Sequence, residues 1–255
     1  MLLNEYDHQV AGHKEEALLG IGGRFILKPL VKKDLFRRES EFYQHVAQSR
    51  HDTNSPARFL AEYYGLIYHN INNSAESGLD RSPRLNKNGL LPHIVLEDLT
   101  FKYRRPNVID IKMGTCTFEP TASMKKKESE MRKYPYQSEL GFRITGFKIF
   151  DKTRNAYLKT GKPFGRSILP REVLGAFGLL FSDGSGHKIR VDVVKAVILQ
   201  LEGILLWMKG QNRFRFYCSS LLIVYDTCTD CIKENDVEQD RDHSNAWSAL
   251  SSRLA

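Results

Sequence analysis

Apolar and polar positions first fall into regular order after the glycines of GIGG (20–23), where RFILKP (24–29) reads as a strand carrying Lys28 near its end. In DLFRRESEFYQHVAQ (34–48), Leu35, Phe36, Glu39, Phe42, Tyr43 and Val46 follow helical spacing, with Asp34 placed to cap the helix. A short helix is predicted around PARFLAEYYG and a strand around LIYH, then a flexible polar loop over 70–92. HIVLEDL (93–99) and NVIDIKM (107–113) follow as two strands joined by TFKYRRP. A basic helix is predicted from Ala122 to Lys133, then FRITGFKIF (142–150) as a strand with a bulge at Gly146. REVLGAFGLLF and VDVVKAVILQLEGILLWMKG read as helices, the second with Val194, Val197, Leu201, Leu205 and Met208 on one stripe. FRFYCSSLLIVYD (214–226) is the last predicted strand. The residues ahead of GIGG read as loop, and those after Asp226 show no sustained period and are expected to form a mobile or poorly packed tail.

Composition changes this picture little; the placement of charge changes it more. At 255 residues the chain has ample length for one large domain or two lobes. Its four cysteines suggest no disulfide scaffold, and a reducing compartment is expected. The start, MLLNEYDHQV, lacks the pattern of a secretory signal, and Lys195, Gln200 and Glu202 interrupt the most apolar run, which argues against a membrane span. The net charge is +8, but residues 110–172 alone hold fourteen Lys/Arg against seven Asp/Glu, whereas 226–242 hold two against seven. A basic middle implies an anionic partner: nucleic acid, an acidic membrane surface or a heavily phosphorylated small molecule.

The chemistry that stands out is PNVIDIKMG (106–114). Asp110 and Lys112 lie two apart on what reads as a buried strand, so their side chains share a face. They form either a solvent-facing ion pair or a functional pair. The apolar neighbours Val108, Ile109, Ile111 and Met113, and the permissive Gly114, favour the second. Lys28 on a strand, followed eleven residues later by Glu39 on a helix, is the arrangement by which a kinase lobe fixes a cation against nucleotide phosphates, though an ordinary surface lysine fits the spacing too. Lys126, Glu130 and Lys133 share one side of the basic helix, with Ser129 at its edge. The lone C-x-x-C of Cys228 and Cys231 is weak ground for zinc, and His8 and His13 read as loop histidines, so no protein-held metal site is assigned.

Four stretches then carry a resemblance to the inositol polyphosphate kinase family: HQVAGH (8–13), PNVIDIKMG (106–114), GFRITGF (141–147) and SSLLIVY (219–225). The second matches the family's P-x-x-x-D-x-K-x-G signature and the fourth its S-S-L-L element. The short link after Gly114, containing KYP, is similar to that of the multikinase branch. The resemblance implies an α+β, two-lobed, protein-kinase-like fold, with an ATP-binding lobe over 1–99, an inositol-phosphate-binding lobe over 100–228 and an irregular tail over 229–255. It implies ATP and Mg²⁺ as cofactors and inositol tris- or tetrakisphosphate, or a phosphoinositide headgroup, as acceptor. Lys28, supported by Glu39, would hold the ATP phosphates, while the Glu97 carbonyl and Leu99 amide would meet adenine. Asp110 would contact the nucleotide side, and Lys112 would neutralise charge between the γ-phosphate and the attacking hydroxyl. Lys126, Ser129, Glu130 and Lys133 fall at substrate-helix positions. A monomer of nucleus and cytoplasm is what the resemblance implies further; no nucleic-acid partner is expected, since that reading rests only on the basic middle, which lacks the aromatic interleaving of single-strand binders.

Two departures stand beside it. Glu130 takes a position where multikinases carry a neutral amide, and no I-D-F motif with its metal-binding aspartate follows the S-S-L-L strand; Asp226 and Asp230 lie near but out of that context. On this reading the fold is C-terminally incomplete and the chain is expected to have little or no activity. The alternative function is a non-catalytic inositol-phosphate-binding or interaction protein.

Overall fold

The computed structural model describes residues 3–12, 16–31, 33–69 and 90–227, without the side chains of 33–36. The helix predicted over 34–48 begins at Lys33, so Asp34 lies within it and is not its N-cap. The Leu35 and Phe36 side chains, His13, most of the 70–92 loop, Cys228, Asp230, Cys231 and the 229–255 tail lie outside the described residues. The described residues fall into two compact units, one ending at Lys102 and one beginning at Tyr103.

The first unit is built on an antiparallel sheet of β1 (Asn4–Glu5), β2 (Leu19–Ile21), β3 (Phe25–Pro29), β4 (Tyr63–His69) and β5 (Leu91–Glu97), in the order β1-β2-β3-β5-β4. Gly22 and Gly23 turn β2 into β3 with φ of +61° and +74°, a conformation that strongly favours glycine. One sheet face buries Ile21, Phe25, Leu27 and Val95; the other buries Ile94 and Leu96 beneath Tyr43 of α1 (Lys33–Gln48). Alternation along β3 puts Lys28 on the same face as Ile26, the face α1 covers. The predicted helix around 56–65 is a single 3₁₀ turn, Pro56–Phe59, capped by the Ser55 hydroxyl. Tyr63 and Tyr64, with the rest of β4, join β5 instead, because aromatic residues that pair across a sheet outweigh a local helical preference.

The second unit holds an antiparallel sheet of β6 (Pro106–Met113), β7 (Phe142–Asp151), β8 (Ala156–Thr160) and β9 (Ser220–Asp226), in the order β8-β7-β6-β9. Its helices are α2 (Met124–Lys133), α3 (Gln137–Leu140), α4 (Lys162–Ser167), α5 (Val173–Leu180) and α6 (Val191–Gly210). Ile109, Ile111, Ile144, Phe147 and Ile149 pack on Ala176 and Leu180 of α5, with Val193, Val194 and Val197 of α6 alongside. Ile144 and Phe147 reach the same core although three apart. The pairing of β6 with β7 slips between Asp110–Gly146 and Ile111–Ile144, which leaves Thr145 as the extra residue of a bulge. Asn107 is fully buried, and its side-chain oxygen accepts from the Phe150 amide (2.7 Å) and the Thr227 hydroxyl (3.0 Å), tying β7 and the end of β9 to β6.

Three expectations need correction here. The last strand begins at Ser220, not Phe214, because Cys218 adopts φ +55° and breaks extended geometry just before it. The apolar stripe of α6 is packed only in its first half: Val194 and Val197 meet the core, whereas Leu201, Leu205 and Met208 are exposed. The segment before GIGG contributes β1 and the first residue of β2, strands too short to show a period.

Candidate functional site

In the first unit, Lys28 and Glu39 meet as the strand–helix spacing implies: Lys28 Nζ donates to Glu39 Oε1 at 2.5 Å. Both side chains remain about a third exposed (37% and 27%), so the pair holds an ammonium in place while leaving it accessible. At the end of β5 the chain turns tightly. The Asp98 amide donates to the Arg24 carbonyl (2.8 Å), and Asp98 Oδ1 accepts from the Thr100 amide (2.8 Å), the Thr100 hydroxyl (2.6 Å) and the Tyr6 hydroxyl (2.7 Å). The amides of Asp98, Thr100 and Phe101 are thereby bonded, whereas the Leu99 amide between them has no partner among the described residues. Glu97 aims its carboxylate at the Glu62 amide (3.3 Å), towards β4. A cavity of about 360 Å³ beside it, lined by Tyr43, Arg50, Glu62 and Tyr63, includes neither Lys28 nor Leu99.

In the second unit, the β6 face opposite the core carries Asp110 and Lys112. Lys112 Nζ donates to the Cys218 carbonyl at 2.7 Å, a carbonyl presented by that residue's left-handed conformation. Gly114, at φ +99°, ends the strand; its amide bonds to the Gly141 carbonyl (2.7 Å) and its carbonyl accepts from Gln137 Nε2 (2.6 Å). Asp110 Oδ1 is buried with no hydrogen-bond partner among the described residues. Burial pushes its carboxyl above the usual range, against the pull of Thr145, Lys112, Ser220 and Arg143. Thr145 Oγ1, on the bulge, is itself buried without a partner, so it acts on Asp110 as a nearby dipole and not as a formed bond.

The sequence reading missed Arg143. It pairs across the sheet with Lys112, is buried, and its Nη1 has no hydrogen-bond partner among the described residues. Burial lowers its pKa, while Glu130 and Asp110 support its charge. The signal was available: a basic residue in the apolar strand FRITGFKIF is as anomalous as Asp110 and Lys112 in theirs. Cys218 belongs to the same group, since it holds Lys112 through its carbonyl.

Helix α2 is capped by Ser123, whose hydroxyl accepts from the Lys126 amide. Its Glu130 is 5% exposed, and one oxygen, Oε1, accepts from both Lys126 (2.6 Å) and Lys133 (2.7 Å). Burial alone would push this carboxyl up, but the two ammonium groups hold it below the usual range. Ser129 is exposed at the helix edge, so three of the four predicted positions converge and the fourth stands apart. Asp226, weighed as a metal carboxylate, instead accepts from the Arg104 amide (2.8 Å). Among the described residues no group of three or more His, Cys, Asp or Glu could hold a metal ion, and no helix is long and apolar enough to cross a membrane.

Comparison with known proteins gives this arrangement a setting. The family described as inositol polyphosphate kinase matches residues 93–248, and so runs past the strand at which the motif resemblance ends. The inositol polyphosphate multikinase of Homo sapiens is 31% identical over 226 residues, which cover 86% of this chain and 50% of that protein. Inositol polyphosphate multikinase alpha of Arabidopsis thaliana is 26% identical over 254 residues, covering 92% and 82%. The chain spans about half the length of the mammalian multikinases it matches. In fold it is similar to the inositol phosphate multikinase of S. cerevisiae, solved in complex with ADP and Mn²⁺, with a TM-score of 0.57, 22% identity and coverage of 90% of this chain and 79% of that one.

Proposed function

The chain belongs to the inositol polyphosphate kinase family, and from that premise we propose that it transfers the γ-phosphate of ATP to a hydroxyl of a soluble inositol polyphosphate carrying three or four phosphates. The observation that carries the proposal is the face of β6 and β7. There Asp110, half-buried and with an Oδ1 that has no hydrogen-bond partner among the described residues, sits beside Lys112 and Arg143, two cations of which the second has an Nη1 likewise without a partner among them. Phosphoryl transfer needs little covalent help from the protein; it needs positioned charge where the transferring group becomes anionic. Lys112 is the cation for that charge, and Lys126 and Lys133 are cations for acceptor phosphates.

The described residues also suit the nucleotide. Lys28, steadied by Glu39, offers an accessible ammonium to its phosphates, and the Leu99 amide, without a partner among the described residues, offers a donor to an adenine ring nitrogen. The fit to a divalent metal is poorer, since Asp110 contributes a single carboxylate and no ligand cluster accompanies it among the described residues. Mg²⁺ would supply charge neutralisation to the nucleotide phosphates, with Asp110 as the one carboxylate of the β6 face to help hold it.

The test is phosphate transfer from ATP to inositol trisphosphate by the purified chain, beside Lys112→Ala and Asp110→Asn. Transfer lost in both variants, with folding retained, supports the reading; transfer unaffected by either overturns it. A folded protein that binds inositol phosphate without turnover would instead support the non-catalytic alternative.

A further inference from the structure

Glu130 is the anomaly of the basic helix. A carboxylate placed where phosphates are expected ought to face solvent, yet this one is the most buried side chain of α2, and its single oxygen bridges Lys126 and Lys133. That is the contact a phosphate oxygen would make. The guanidinium of Arg143 lies within electrostatic range on the sheet side, with Nη1 unpartnered. Two ammonium groups therefore close on one internal anion, and the Arg143 charge acts on it from further away. The lysines differ in freedom: Lys126 is 57% exposed and Lys133 30%, so their ammonium groups can swing outward, whereas the Glu130 carboxylate cannot follow them.

We propose that Glu130 is a built-in anion occupying one phosphate position on the α2 face, which makes the site select against inositol phosphates that would place a phosphate there. This rests on the kinase reading above and adds a determinant of which acceptors it takes. A bound phosphate must either share Lys126 and Lys133 with the carboxylate or repel it at close range, and both weaken attraction for each added phosphate in that position. With a neutral side chain of the same shape, both lysines are released to the ligand.

The experiment measures binding of inositol tris-, tetrakis- and hexakisphosphate by calorimetry, independently of turnover. Glu130→Gln should tighten tetrakis- and hexakisphosphate binding by about tenfold and trisphosphate binding by less. On the same helix, Glu128→Gln removes an exposed pairing with Arg132 and should change binding by less than about twofold. Because Glu130 already takes up its charge, Lys126→Ala should weaken binding less than about threefold in the wild type but about tenfold beside Glu130→Gln. Equal losses in the two backgrounds, or no gain from Glu130→Gln while the wild type binds, overturn the proposal and leave the kinase reading standing. Should Glu130→Gln fail to fold, wild type and Lys126→Ala decide alone: a tenfold loss in Lys126→Ala, or steep tightening with each phosphate in the wild type, overturns it. No binding by any form overturns both readings.

Discussion

Replacing Asp110 with Asn removes one negative charge from a position that the fold keeps at some expense. Its Oδ1 is out of water and unpartnered, and the surroundings raise the carboxyl pKa despite Lys112 and Arg143. An unsatisfied buried polar oxygen carries a penalty of about 1–3 kcal/mol, and attraction from the two cations returns part of it. Asp110→Asn should therefore stabilise the protein by about 1 kcal/mol at neutral pH, raising Tm by roughly 2–4 °C, while phosphate transfer is lost. The sign follows from linkage. A carboxyl whose folded pKa exceeds its unfolded value, about 3.9, binds protons more tightly in the native state, so the wild type loses stability as pH rises from there through the folded value. The gap in Tm between variant and wild type should be full at neutral pH and close by about pH 3, where both side chains are neutral. Thermal melts from pH 3 to 8, paired with a transfer assay, check both halves. A variant that melts below the wild type at neutral pH, or a gap that persists at pH 3, would refute the reasoning.

The first unit should have an acid limit of its own. His93 is buried with Nδ1 on the Leu91 carbonyl (2.9 Å), and burial pushes its pKa down to about 4. Stability contributed by the neutral ring is present above about pH 6.5 and lost as pH falls towards 4, in total roughly 3 kcal/mol; melts of wild type and His93→Gln across that window should converge, and parallel curves would contradict it. In α4, a Cβ on Gly165 would lie 1.5 Å from the Ile144 carbonyl oxygen, whereas one on Gly178 of α5 meets nothing within 4 Å. Gly165→Ala should cost about 3 kcal/mol or more in urea unfolding and Gly178→Ala should be neutral or stabilising; equal effects would show that α4 does not sit on β7 in this way.

What could be read without coordinates was whatever repeats over a long enough stretch. The bounds of α6 follow from twenty residues of helical pattern, and β6 from an apolar run between Pro106 and Gly114. The partner face did not follow: the α6 stripe runs through Leu205 and Met208, which are 53% and 38% exposed. Periodicity says which residues share a side, but not where packing against that side stops. The same gap explains Glu130. Its grouping with Lys126 and Lys133 was legible from spacing, but that the carboxylate turns inward and captures both lysines was not. Arg143 was visible as a basic residue in an apolar strand, but Lys148 in the same strand is equally basic, and only the pairing of Arg143 with Lys112 tells the two apart. The Leu99 amide was legible only through the family resemblance, since a backbone group without a partner among the described residues has no side-chain signature of its own.

The sheet of the second unit divides two kinds of surface. One side bears Asp110, Lys112 and Arg143; beyond the core on the other, α6 presents Leu199 and Leu206 at 70% and 72% exposure. Dissolved salt acts on the two sides in opposite senses. It screens the cations and loosens their hold on phosphates, while salting-out ions such as sulfate drive oily surface together. A salt titration of this protein is thus two experiments run at once, and a fall in rate at high ionic strength is a measure of charge only when light scattering shows that the particles have kept their size.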